Sequence, residues 1–97
     1  MNYLFLDEAE RELYEAVAYY EESSEGLGLE FSREVFATVS RILKFPEAWS
    51  PYSNRTRRCL LKRFPYGIVY RVVGDEVVIF AVMQLNRKPG YWKSRLK

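Results

Sequence analysis

Histidine is absent from the 97 residues, and cysteine occurs once, as Cys59. Without a second thiol no internal disulfide can form. Without an imidazole the chain lacks a side chain that ordinarily titrates near neutrality and a common ligand of structural zinc. A disulfide scaffold, a zinc module and a His-dependent catalytic triad are therefore excluded. Long apolar runs are missing too: the longest, residues 77–83, is far short of the roughly 20 residues that span a bilayer. The opening Met1-Asn2-Tyr3-Leu4-Phe5-Leu6-Asp7 has no basic leader and turns acidic at once, which does not read as a signal peptide. A cytoplasmic location without membrane contact is the expectation. No Gly-rich phosphate loop, metal-ligand spacing or nucleophile elbow occurs, and no cofactor or metal is expected.

The chain is 48% hydrophobic and 29% charged, the balance of an ordinary globular protein, and its length suits one domain over residues 1–97. The net charge of +2 hides a division. Residues 1–50 hold 11 acidic and 4 basic side chains, a net of −7, whereas residues 51–97 hold 2 acidic and 11 basic, a net of +9. If the halves form different faces, the basic one attracts a polyanion or an acidic protein.

Tyr3-Leu4-Phe5-Leu6 favours a strand, and Asp7 with Glu10 three residues on resembles a capping box. Ala9, Leu13, Ala16, Val17 and Tyr20 then form a helical stripe over roughly residues 8–22, with most of the glutamates on the solvent side. Ser23-Ser24-Glu25-Gly26 breaks it. A second stripe, Phe31, Val35, Thr38, Val39 and Ile42, must stop near Phe45 because Pro46 follows. Residues 46–56 read as a loop in which Trp49 and Tyr52 lie over apolar surface. Period-two segments at 57–64, 66–73 and 76–85 predict three antiparallel strands, with Gly74 first in a two-residue turn.

The result is an α+β fold: an N-terminal strand, a helical hairpin packed on a small, mainly antiparallel sheet in the order β-α-α-β-β-β, and a short C-terminal helix or tail. Residues 77–83 are apolar at every position and look central, while the sheet face away from the helices is expected to stay open.

Two basic clusters draw the eye. Arg55, Arg57, Arg58, Lys62 and Arg63 interleave with Cys59, Leu60, Leu61 and Phe64; guanidinium forks suit phosphate, but arginine stems also cover apolar surface at strand ends. The tail carries Arg87, Lys88, Lys93, Arg95 and Lys97 around Tyr91 and Trp92, which suits stacking and charge pairing, or a terminal helix whose Trp92 packs on the sheet. Cys59 reads as a small buried hydrophobe, since no base is present to activate it.

Arg63-Phe64-Pro65-Tyr66-Gly67-Ile68-Val69-Tyr70, Phe80-Ala81-Val82-Met83 and Arg87-Lys88-Pro89-Gly90-Tyr91-Trp92 resemble the C-terminal half of the ParE branch of the RelE/ParE toxin superfamily. Ala18-Tyr19-Tyr20-Glu21, the Gly26-Leu27-Gly28 turn and a second helix ending at Pro46 extend the resemblance over nearly the whole chain. It implies the toxin of a type II toxin–antitoxin module, as in plasmid stabilisation, that inhibits growth and is neutralised by a cognate antitoxin in a hetero-oligomer. ParE-like relatives poison DNA gyrase, whereas RelE-like relatives cleave messenger RNA on the ribosome.

In RelE-like nucleases an arginine commonly follows the tyrosine that opens the middle strand; here Gly67 follows Tyr66. Lys93 stands where a catalytic tyrosine is expected, with Tyr91 close by, and Gln84 stands where the ParE-like strand often ends in histidine. The resemblance therefore favours a non-enzymatic gyrase inhibitor with Arg58, Arg63, Arg87, Lys88, Tyr91 and Trp92 as target-binding residues and no assigned antitoxin-binding residues. The alternatives are a ribosome-dependent endoribonuclease working through Arg58, Lys62, Arg87 and Tyr91, and a non-toxic binding module.

Overall fold

The computed structural model describes residues 1–53, 55–88 and 90–96. The elements are β1 (Asn2–Phe5), α1 (Asp7–Ser23), α2 (Leu27–Lys44), β2 (Ser50–Ser53), β3 (Thr56–Leu60), β4 (Tyr66–Val73), β5 (Glu76–Gln84) and a short 3-10 turn (Lys93–Arg95). One sheet takes the order β1-β5-β4-β3-β2. β1 pairs parallel with β5, and every other pairing is antiparallel. β5 thus has β4 along one side and β1 along the other as far as Ile79, which places the first part of its apolar run inside the sheet.

The α1–α2 hairpin covers one face. Ala9, Leu13, Ala16, Phe31, Val35, Val39 and Ile42 meet Cys59, Ile68, Tyr70, Val77, Ile79 and Val82 in the main core. Tyr20, Phe31, Phe64 and Tyr66 add edge-on ring contacts at one end, with Phe31 and Phe64 centroids 5.1 Å apart.

The second face is not open, contrary to the sequence reading. Val69 pairs with Ala81 but Tyr70 pairs with Ile79, so Phe80 is an extra residue that shifts the alternation of β5. Phe80, Ala81 and Met83 then join Val69 and Trp92 in a second cluster, with Tyr52, Val78, Tyr91 and Leu96 at its margin. The tail folds back over this patch because a fully apolar strand has two faces to keep from water.

Other differences have local causes. Residues 46–56 contain an edge strand, β2, with an irregular register between Pro51 and Ser53. β3 ends at Leu60 rather than Phe64; Leu61 and Phe64 turn into the main core instead. Asp7 is the first helical residue rather than the cap, and no side chain caps α1, because the strand-like backbone runs through Leu6, whose N–H donates to Ile79 O at 3.0 Å. α2 starts at Leu27, earlier than its stripe, because Glu21 accepts from the N–H groups of Gly26 and Gly28 at 2.9 and 3.0 Å. That carboxylate satisfies two donors that a helix N-terminus otherwise leaves unpaired. Gly28 is required there: a Cβ would stand 2.6 Å from Val17 O. No helix among the described residues is long and apolar enough to cross a membrane.

Candidate functional site

The tail owes its position to a carboxylate. Glu12 falls within the buried stripe of α1, three residues after Ala9 and four before Ala16, and the small alanines beside it leave the side chain room to reach the sheet. β1 stops short of the last part of β5, so the β5 edge beyond Ile79 lacks a strand partner on that side. Glu12 Oε1 accepts from Val82 N at 3.1 Å, and Arg95 Nη1 donates to Phe80 O at 2.8 Å. Two side chains thereby replace the missing strand at these two positions.

The same pair fastens the tail. Arg95 donates to both Glu12 oxygens, at 3.0 and 3.1 Å, and the Tyr91 hydroxyl donates to Oε2 at 2.6 Å. Both members of the ion pair have side chains only 13% exposed. Burial together with the Glu12 hydrogen bond raises the Tyr91 pKa far above its ordinary value, so the phenol stays protonated and keeps donating. Above this array the Arg87 guanidinium stacks on the Tyr91 ring, 4.0 Å from its centroid, while Arg87 and Lys88 remain exposed. A pocket of about 170 Å³ beneath Arg87 is lined by Glu12, Glu15, Tyr66 and Gln84.

Across the second face, Trp92 is fully buried, its ring 5.8 Å from that of Tyr52. The Arg58 guanidinium lies 4.5 Å from the Tyr52 centroid. Gly67 makes space for the Arg58 stem, since a Cβ there would be 3.2 Å from Arg58 Cγ. The absence of a side chain at Gly67 thus has a packing consequence: it lets a neighbouring strand's arginine lie across β4.

The proposed target-binding residues divide into three groups. Arg58, Arg87, Lys88 and Tyr91 lie on or beside the tail-covered face. Trp92 does not present its ring for contact; it is core, and the sequence reading that placed it among the binding residues is corrected. Arg63 is exposed but neutralised, with Nε donating to Glu34 Oε1 at 3.0 Å and Nη1 to Glu30 Oε1 at 3.1 Å. It joins the β3–β4 connection to α2.

The residues of the nuclease alternative have different neighbours. Lys62 borders a groove with Glu34 and Arg41 of α2, Arg58 lies over Tyr52, and Arg87 over Tyr91. Cys59 is buried, and burial pushes its thiol up, which suits a small apolar core residue. Glu12, Tyr52 and Arg95 are the contributors that sequence reasoning missed; for Glu12 the signal was a carboxylate set into an otherwise apolar stripe.

On the hairpin side, Tyr3, Phe5, Leu13, Tyr14, Val17 and Phe36 line an apolar groove of about 390 Å³. Tyr14 is 62% exposed and Phe36 39%, large apolar surfaces that a hairpin helix would ordinarily turn inward.

These features define a small α+β domain with a fastened basic tail on one side and an apolar groove on the other. The chain belongs to the ParE toxin family: residues 3–89 match the family of ParE toxins of the type II toxin–antitoxin system parDE. Among solved structures it is similar to the chromosomal ParDE toxin–antitoxin system from P. aeruginosa, with a TM-score of 0.75 and 19% identity, covering 89% of this chain and 97% of that one. At that identity the likeness is one of fold. No curated protein sequence matches the chain. Family membership implies an antitoxin partner.

Proposed function

We propose that this toxin inhibits DNA gyrase by binding it, without catalysing a reaction itself, and that its antitoxin neutralises it by occupying the hairpin side. The observation that carries the reading is the Glu12–Tyr91–Arg95 array, which holds Arg87 on a fixed ring and presents it with Lys88 at the surface. A preordered guanidinium loses less freedom on binding than a free one, and exposed cations at a rim steer an acidic partner. Gly67 leaves without a side chain the position after Tyr66 where RelE-like nucleases commonly carry an arginine, which speaks against a phosphodiester-cleaving centre.

The antitoxin reading rests on the groove around Tyr14 and Phe36 and on the outer edge of β1, which is the end of the sheet. An unpaired edge and an adjacent apolar groove suit a segment that orders on binding. The test is a supercoiling reaction with purified gyrase, toxin and antitoxin. Inhibition with accumulation of cleaved DNA, relieved by antitoxin, is expected. Undiminished supercoiling, or discrete breaks in messages after toxin induction, would reject the reading.

A further inference from the structure

The arginines at the start of β3 take no part in the tail-covered face. Arg55 and Arg57 border, with Arg71 of β4, a groove of about 460 Å³ at the end of the sheet where β3 begins and β4 finishes. Arg71 lies five residues along β4 from Tyr66, the residue beneath Arg87, which is roughly 16 Å at about 3.3 Å per residue. The two basic regions are therefore separate.

The three side chains are set up in different ways for the same task. Arg57 is half-buried and Nη1 donates to Trp49 O at 2.8 Å, which fixes the guanidinium plane while leaving other donors unused. Arg71 is likewise half-buried. Arg55 has a left-handed backbone, φ 64°, the one such non-glycine residue among those described. It stands in the turn between β2 and β3, where Ser53 pairs with Thr56 and a tight hairpin connection calls for such a backbone.

The groove contains one acid, exposed Glu47, against these three cations. Among the described residues none of the three arginines has a carboxylate within 4.0 Å; the ion pairs found there belong to Arg63 and Arg95. Arg57 pairs with Tyr70 on the helix side of the sheet and Arg71 alternates to the other side, so the cations flank the end of the sheet from both faces, where a polyanion crossing it would lie near each of them. All three are arginine, whose planar fork matches phosphate oxygens.

We infer that this groove is a second binding site, for the phosphodiester backbone of nucleic acid, distinct from the surface proposed to meet gyrase. Its occupant is a run of linked phosphates rather than a single anion, since the cations are spread over both sides of the sheet end.

The test is fluorescence anisotropy of the full chain with a labelled short duplex and with its single strand, over a range of salt, and needs no gyrase. Binding that weakens with salt is expected. Arg55→Gln with Arg71→Gln should reduce affinity about tenfold at low salt and lower the salt slope by about 0.9 per lost phosphate contact on duplex, or about 0.7 on a single strand. The tighter of the two probes identifies the form recognised. Circular dichroism establishes that the variant is folded, and the single changes serve if the pair is not. The inference is overturned if neither probe binds at low salt, if the folded variant keeps wild-type affinity and slope, if Arg87→Ala with Lys88→Ala alone abolishes binding, or if polyglutamate binds in place of both probes.

Discussion

Trp92 shows how one side chain decides what the tail is. Its ring is buried against Val69, Phe80, Ala81 and Met83, but its indole N–H has no hydrogen-bond partner among the described residues. The ring stabilises; the nitrogen does not. Trp92→Ala should therefore cost about 3–5 kcal/mol, or detach the tail, whereas Trp92→Phe should cost distinctly less, because it discards the unsatisfied donor along with part of the ring. Urea denaturation of the two variants checks the difference. Tyr70 gives a pH prediction. Burial, partly opposed by Arg57, raises its pKa from 10.0 to about 12, and its hydroxyl donates to Pro46 O at 2.6 Å. A raised value means that the folded state holds the proton more firmly. The stabilisation is complete below pH 10.0 and is lost as the pH rises through about 12. Melting temperatures across that range should fall less steeply in Tyr70→Phe than in the wild type.

Among the elements, α1 carries two glutamates that behave unlike their neighbours. Glu21 caps the start of α2 through the N–H groups of Gly26 and Gly28, so Glu21→Ala should cost about 0.5–2 kcal/mol with the fold retained. Gly28→Ala should be worse, because the added Cβ meets the Val17 carbonyl and backbone cannot step aside cheaply. Thermal melts of both order the effects. Glu12→Gln removes the charge that pairs with Arg95 and leaves the guanidinium half-partnered in a nearly dry place, a change of about 3–5 kcal/mol for a buried pair. Hydrogen exchange should report it first at Phe80–Gln84 and in residues 90–96, before the hairpin core.

The periods that distinguish helix from strand were legible, since Leu13, Ala16, Phe31, Val35 and Ile42 form continuous stripes and β4 and β5 alternate or run apolar. What could not be read depended on contacts distant in the chain. The bulge at Phe80 changes which residues face the tail, and no local pattern announces it. β2 is a strand only because β3 pairs with it; Ser-Pro-Tyr-Ser has little strand preference of its own. Glu34 drew no notice in the sequence, yet it neutralises Arg63 from another element. Charge in a sequence reports where cations are, while their availability depends on partners that folding supplies.

Over the whole molecule the split between acidic and basic halves survives only in part. Glu30, Glu34 and Glu12 cross it to engage Arg63 and Arg95, which neutralises one cation at the surface and largely buries the other. Arg87 and Lys88 mark one basic place and Arg55, Arg57 and Arg71 another, with the apolar groove of Tyr14 and Phe36 on the hairpin. An antitoxin and a target can thus engage different parts of one small domain. Charge at the docking rim acts on association rates, so capture of the target should slow as salt rises while antitoxin capture in the apolar groove changes less; stopped-flow binding to each partner separates them. The most direct test is a titration of gyrase supercoiling with wild-type toxin and with Arg87→Ala/Lys88→Ala toxin matched for melting temperature. Inhibition by the wild type, with about tenfold more of the variant needed for the same effect, is the result predicted; equal potency of the two, or none in either, would contradict a fastened basic tail as the part that meets the target.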